Sequence, residues 1–158
     1  MNNNLNTVRN NSDLVVWEEK YAVGIDLIDL QHKELIYLTN ELYHACLTGD
    51  EVLGPVFKEA MSRMVEYVRY HFTAEQNLLI KVKYPDYPEH KKQHDTLVNN
   101  ILDAVKGYNE GKRFAPHSFV RTLKDWIFGH IAVADKIYAA YVADQIKKGL
   151  LNIQAING

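Results

Sequence analysis

Apolar residues recur at steps of three and four along most of this chain, a pattern that predicts helices and no sheet. A first helix is expected roughly from Ile28 to Leu47, with apolar or small residues at 28, 35, 39, 42 and 46 and with His32 in the same stripe. "TGDEVLGP" breaks it. The second, about Pro55 to Val82, carries the most regular stripe: Phe57, Met61, Met64, Val68, His71, Glu75, Leu78, Val82. Such alternation of four and three is the seam of a helix packed in a bundle. After "KYPDYPE", where Pro88 suits a first helical turn, a third helix runs to about Glu110 with His90, His94, Leu97, Ile101, Ala104 and Tyr108 on its stripe. "GKRFAP" breaks again, and a fourth runs from near Pro116 to about Lys148 along Val120, Leu123, Ile127 and His130. Short connections between long helices make neighbours antiparallel, so the expected fold is all-α, an up-down-up-down four-helix bundle with an irregular N-terminal arm.

The ends are less regular. "MNNNLNTVRNNSD", residues 1–13, is rich in Asn and poor in apolar groups, and reads as a flexible arm. In the irregular stretch "LVVWEEKYAVGIDLIDLQ" that follows, Trp17, Tyr21, Val23 and Ile25 are expected to pack over one end of the helical body. The bundle is taken as 14–148. The tail 149–158, "GLLNIQAING", suits either a frayed extension or a short amphipathic contact.

His32, His71, Glu75, His90, His94 and His130 all fall on the apolar seams of their own helices. A single core histidine is ordinarily satisfied by a backbone carbonyl. Six polar side chains on four seams are another matter, because each one buried without a partner costs on the order of 1–3 kcal/mol and an unpaired carboxylate costs more. Metal removes that cost, since imidazole and carboxylate are ligands for iron, zinc, manganese and copper. His44 lies off its stripe and His117 sits in a first turn, so both read as surface residues.

A seventh candidate is Asp135, five residues after His130 in "WIFGHIAVADKIY". The stripe slips by one across this interval, continuing at Asp135, Tyr138 and Val142 instead of at 134. Five steps of an ideal helix separate two side chains by about 140°. One widened π turn would restore a common face, and such turns are frequent at functional sites. Five histidines and two carboxylates exceed the needs of one ion. With both carboxylates bridging, they make a dinuclear site. Seven candidate ligands argue against a closed tetrahedral structural zinc.

Composition narrows the class further. The chain has 158 residues, 47% hydrophobic and 24% charged, with a net charge of −2, the size of one domain and no electrostatic footprint for nucleic acid. It lacks an 18-residue apolar run and a signal-like N-terminus, so no membrane association is expected. Cys46 is alone, which excludes an internal disulfide and makes a cytoplasmic location the expectation.

Taken together, "IDLQHKEL", "HFTAEQ", "HKKQH" and "WIFGHIAVAD", preceded by "VVWEEKYAVGIDLIDLQHK", resemble the hemerythrins, the single-domain bacterial branch (bacteriohemerythrin) in particular, over about Val15 to Val142. That resemblance implies a non-haem di-iron centre that binds dioxygen reversibly, for storage, delivery or scavenging. It implies two iron ions with a solvent-derived oxo or hydroxo bridge. One iron would take His90, His94 and His130; the other would take His32 and His71 and keep an open position; Glu75 and Asp135 would bridge. Ile127, Trp126, Phe72 and Tyr138 match positions that wall the dioxygen pocket.

Chemistry leans the same way. Two carboxylates supply less negative charge than the four of the carboxylate-rich di-iron oxygenases, which disfavours high-valent iron. The alternatives are a dioxygen, redox or nitric-oxide sensor acting through a protein partner, or a weak di-iron oxidase or peroxidase. No second domain is expected to transmit a signal, and no organic-substrate pocket is evident. A carrier, not an enzyme, is the expectation.

Overall fold

A computed structural model describes residues 13–47, 54–152 and 154–157. Four long helical rods form an antiparallel bundle: α1 (Asp26–Leu47), α2 (Pro55–Lys81), α3 (Tyr87–Asn109), and a fourth rod made of α4 (Pro116–His130), a π-helical turn (Ile131–Asp135) and α5 (Lys136–Lys147). A single-turn α6 (Gln154–Asn157) follows, and there is no strand among the described residues. The all-α expectation holds, with rod ends within two residues of those predicted. Prolines open α2 and α4 and stand second in α3, where a missing N–H costs no helical bond.

The predicted stripe of α2 is buried along its whole length, as are the apolar stripe positions of α1 through Leu42 and of the fourth rod. α1 packs on α2 and on α4, and α2 packs on α3. The turn from α2 to α3 is tight. Tyr84 N–H reaches back to the Leu79 carbonyl and Lys83 N–H to that of Ile80, with Lys83 at φ 55°. That is a left-handed helix stop in which Lys83 takes the place glycine usually fills; Gly111, at φ 77°, ends α3 in the same manner.

The irregular segment differs from expectation. Trp17 and Tyr21 pack on the main core while Ile25 is buried in a second apolar group, so the segment runs the length of α1 instead of covering one end. Side chains of α1 dictate this course. Asn40 bonds both the N–H and the carbonyl of Val15, His44 meets Asp13 at 2.7 Å, and Asp29 accepts from the N–H groups of Val23 and Gly24. Gly24, at φ 82°, makes that last bend possible. Of the predicted arm, only Asp13 lies within the described residues. In the tail, Ile156 is buried with Val142 and Tyr138, so this stretch makes a contact with the bundle. No helix among the described residues is long and apolar enough to cross a membrane.

Two apolar groups fill the bundle, one around Met64, Leu42 and Val120, the other around Leu79, Tyr138 and Ile28. Between them lies a layer of polar side chains.

Candidate metal centre

The antiparallel arrangement places the start of α1, the end of α2, the start of α3 and the end of α4 in one layer. His32, His71, Glu75, His90, His94, His130 and Asp135 meet there, all buried, with Glu75, Asp135, His32 and His94 fully so. Four-residue spacing sets His71 with Glu75, and His90 with His94, on single helix faces. His130 and Asp135 need the π turn, which adds one residue between them. With it, His130 Nε2 and Asp135 Oδ1 are 3.1 Å apart. All seven predicted site residues are thus brought together. His117 is exposed and His44 pairs with Asp13, so neither joins them.

The ligand atoms fall into two overlapping groups. Glu75, His90, His94, His130 and Asp135 form one, and His32, His71, Glu75 and Asp135 the other, with the atoms of each group within 4.8 Å of one another. The two carboxylates belong to both. Asp135 faces each group with a different oxygen, Oδ1 toward His130 and His90 (3.5 Å) and Oδ2 toward His32 Nε2 at 3.2 Å. Glu75 Oε2 lies 3.1 Å from His94 Nε2, 3.2 Å from His90 Nε2 and 4.0 Å from His71 Nε2. Its Oε1 accepts the hydroxyl of Tyr138.

Burial dominates the electrostatics. It pulls the His71 imidazolium down to about 4, against the opposing charge of Glu75, and also lowers His94. Burial pulls the same way on His130, but the Asp135 carboxylate 3.1 Å away outweighs it and leaves the group above its ordinary value. Burial opposes ionisation of Glu75, yet His71 and the hydrogen bonds of His90 and His94 hold it well below the usual carboxylate range. Asp135, disfavoured by burial and by Glu75, is held below that range by His130 and His32. Near neutral pH His71 and His94 are therefore neutral ligands beside two carboxylates.

This donor set suits metal. Both ring nitrogens of His32 and both oxygens of Asp135 are buried without a hydrogen-bond partner in the protein, and His94 and His130 bring their Nε2 atoms to 3.0 Å. Converging lone pairs in a dry interior need cations, and the nitrogen and oxygen donors match iron, manganese or zinc.

Of the four predicted pocket residues, Ile127 is buried in the main apolar group, one turn before His130. Phe72 stacks on His94 (3.6 Å between centroids, 1°) and also meets His71 at 5.7 Å. Trp126 stacks on His130 at 4.7 Å. Sequence reasoning missed three glutamines, Gln31, Gln76 and Gln93, whose amides reach outer ring nitrogens of His71, His94 and His130. Each adjoins a cluster residue in sequence, the signal by which they were open to detection. A cavity of about 410 Å³ lies elsewhere, at the other end of α2 among Phe57, Met61, Tyr108 and Phe114. Phe57 precedes His71 by 14 positions, about 21 Å along the helix, and the cavity shares no residue with the cluster.

Comparison with known proteins agrees with this geometry. Residues 23–142 match the hemerythrin HHE cation binding domain. A bacteriohemerythrin of Stenotrophomonas maltophilia is 30% identical over 138 residues, 87% of this chain and 84% of that protein. One from Methylococcus capsulatus is 29% identical over 126 residues, 79% and 94% of the two chains. A wild-type hemerythrin crystal structure superimposes with a TM-score of 0.74 at 27% identity, covering 80% of this chain and 96% of that one.

Proposed function

The chain belongs to the hemerythrin family, and on that premise we propose that it binds dioxygen reversibly at a non-haem pair of irons. The observation that carries this reading is the pair of overlapping donor groups with Glu75 and Asp135 in common. His90, His94 and His130 would hold one iron, and His32 and His71 the other. Glu75 and Asp135, common to both groups, would serve both ions. The second group would offer its ion one imidazole fewer, which would leave room there for dioxygen. When bound, the iron pair supplies the two electrons that reversible dioxygen uptake requires.

The protein's part is to hold the pair and to keep it dry. Buried Glu75 and Asp135 stay ionised, so they bind cations without first losing a proton. Tyr138 donates to Glu75 Oε1, which fixes that carboxylate's rotation and leaves a second lone pair on the same oxygen. Apolar groups above and below the layer exclude water and the protons it carries. Ile127, Phe72 and Trp126 wall this space. The protein acts as a cytoplasmic carrier or store of dioxygen, not as an enzyme.

Absorption spectra test the reading. Iron-loaded protein reduced under argon is expected to be nearly colourless in the visible, to gain charge-transfer bands on admission of air, and to lose them again under vacuum over repeated cycles. Bands that never form, or that persist under vacuum, would overturn it.

A further inference from the structure

Three histidines of the cluster turn their outer ring nitrogen to a neutral amide. Gln31 Oε1 lies 2.9 Å from His71 Nδ1, and Gln93 Oε1 lies 3.0 Å from His130 Nδ1. Gln76 stands 3.3 Å from His94 Nδ1 through its Nε2, and a half-turn of the amide exchanges nitrogen for oxygen there. Each glutamine reaches across to the histidine of the next helix: α1 to α2, α2 to α3, α3 to α4. Gln31 is 2% exposed, and its Nε2 has no hydrogen-bond partner in the protein. An amide buried with half its polar atoms unsatisfied is a net cost to folding, which an apolar side chain of similar size would avoid. Its Oε1 contact to His71 is what distinguishes it from such a side chain.

We propose that Gln31 and Gln93 are positioning residues that set the tautomer of His71 and His130 and keep the metal pair's surroundings low in negative charge. The inference rests on the di-iron reading above. Each Oε1 accepts the Nδ1–H, so the lone pair sits on Nε2, the nitrogen that faces the cluster. Metal-bound histidines commonly give that proton to a carboxylate, which makes the ring a stronger donor and favours the higher metal oxidation state. A neutral amide orients the ring equally well without that push. On the proposed assignment Gln31 stands behind one iron and Gln93 behind the other, so both ions would be biased toward the reduced state.

Four variants test this: Gln31→Leu, Gln31→Glu, Gln93→Leu and Gln93→Glu. Iron(II) affinity is measured by chelator competition, the midpoint potential by redox titration, and the fold of the metal-free chains by circular dichroism. Both Leu variants are expected to lose about 10–100-fold in iron affinity. Both Glu variants are expected to regain it and to shift the midpoint potential downward. Parental affinity in the Leu variants, or a Glu variant with unchanged potential, overturns the proposal. Should a Leu variant fail to fold, the potential of its Glu counterpart decides. A parent chain that does not take up two irons instead sinks the functional reading, and the two failures are thereby distinct.

Discussion

Tyr138 contributes one hydrogen bond at the most crowded point of the layer. Its ring is fully buried among Leu79, Val142 and Ile156, and burial together with the neighbouring Glu75 charge holds its hydroxyl protonated far beyond the ordinary range. It is therefore a permanent donor to Glu75. Tyr138→Phe keeps the ring and removes the donor. Hydrogen bonds to charged groups contribute about 1.5–3 kcal/mol, and the metal-free variant is expected to lose about that much unfolding free energy in urea titration. A loss below about 0.5 kcal/mol, under the range for even a neutral bond, would mean that the bond contributes nothing to holding Glu75. At this scale six of the seven cluster residues were legible because each breaks an apolar seam at a helical interval, and Asp135 was legible from the register slip. The burial of Tyr138 was legible from its stripe, but its hydroxyl's partner was not, because Glu75 lies 63 residues away in sequence. The glutamines carried only the weak signal of adjacency to cluster residues. A polar residue beside a seam ordinarily faces solvent, and only the neighbouring helix turns Gln31, Gln76 and Gln93 toward imidazoles.

Among the elements, the π turn ties local backbone to site geometry most closely. Residues before and after it keep the faces that an uninterrupted helix one residue shorter would give them. Deleting exposed Ala132 should therefore restore a regular helix without reversing any buried face. His130 and Asp135 would then stand four apart on one regular helical face, without the widened backbone that now sets their Nε2–Oδ1 approach of 3.1 Å. The deletion is expected to raise the denaturant midpoint of the metal-free chain, since a wide turn gives way to regular bonding, and to lower its iron content. Circular dichroism, denaturant titration and metal analysis read all three. Full iron content in the deletion would show that the turn is not what sets the site. The register slip from His130 to Asp135 announced this turn in the sequence. No comparable signal announced the course of residues 13–25, which have no period of their own and follow α1 because Asn40, His44 and Asp29 reach out to them.

For the whole molecule, the bundle is two apolar cores with a polar layer between them. The stripes carry their polar residues early in α1 and α3, late in α2 and midway along the fourth rod, which an antiparallel bundle brings to one height. The cavity near Phe57 and Phe114 was not foretold. Ala104 and Tyr108 lie on the stripe of α3, yet both are only half-buried and line that cavity, because stripe position says which way a side chain points and not how closely the next helix approaches. The layered design has a thermodynamic consequence. Metal that binds only the folded chain adds its binding free energy to stability, so iron loading should raise the melting temperature in proportion to the logarithm of free metal. The central claim is narrower: two irons in one layer share one dioxygen and give it back. Dioxygen uptake by reduced, iron-assayed protein tests it most directly. One dioxygen per two irons, recovered on purging with argon while the iron remains ferrous, is the predicted result; one dioxygen per iron, or uptake that leaves oxidised iron and no recoverable gas, would contradict it.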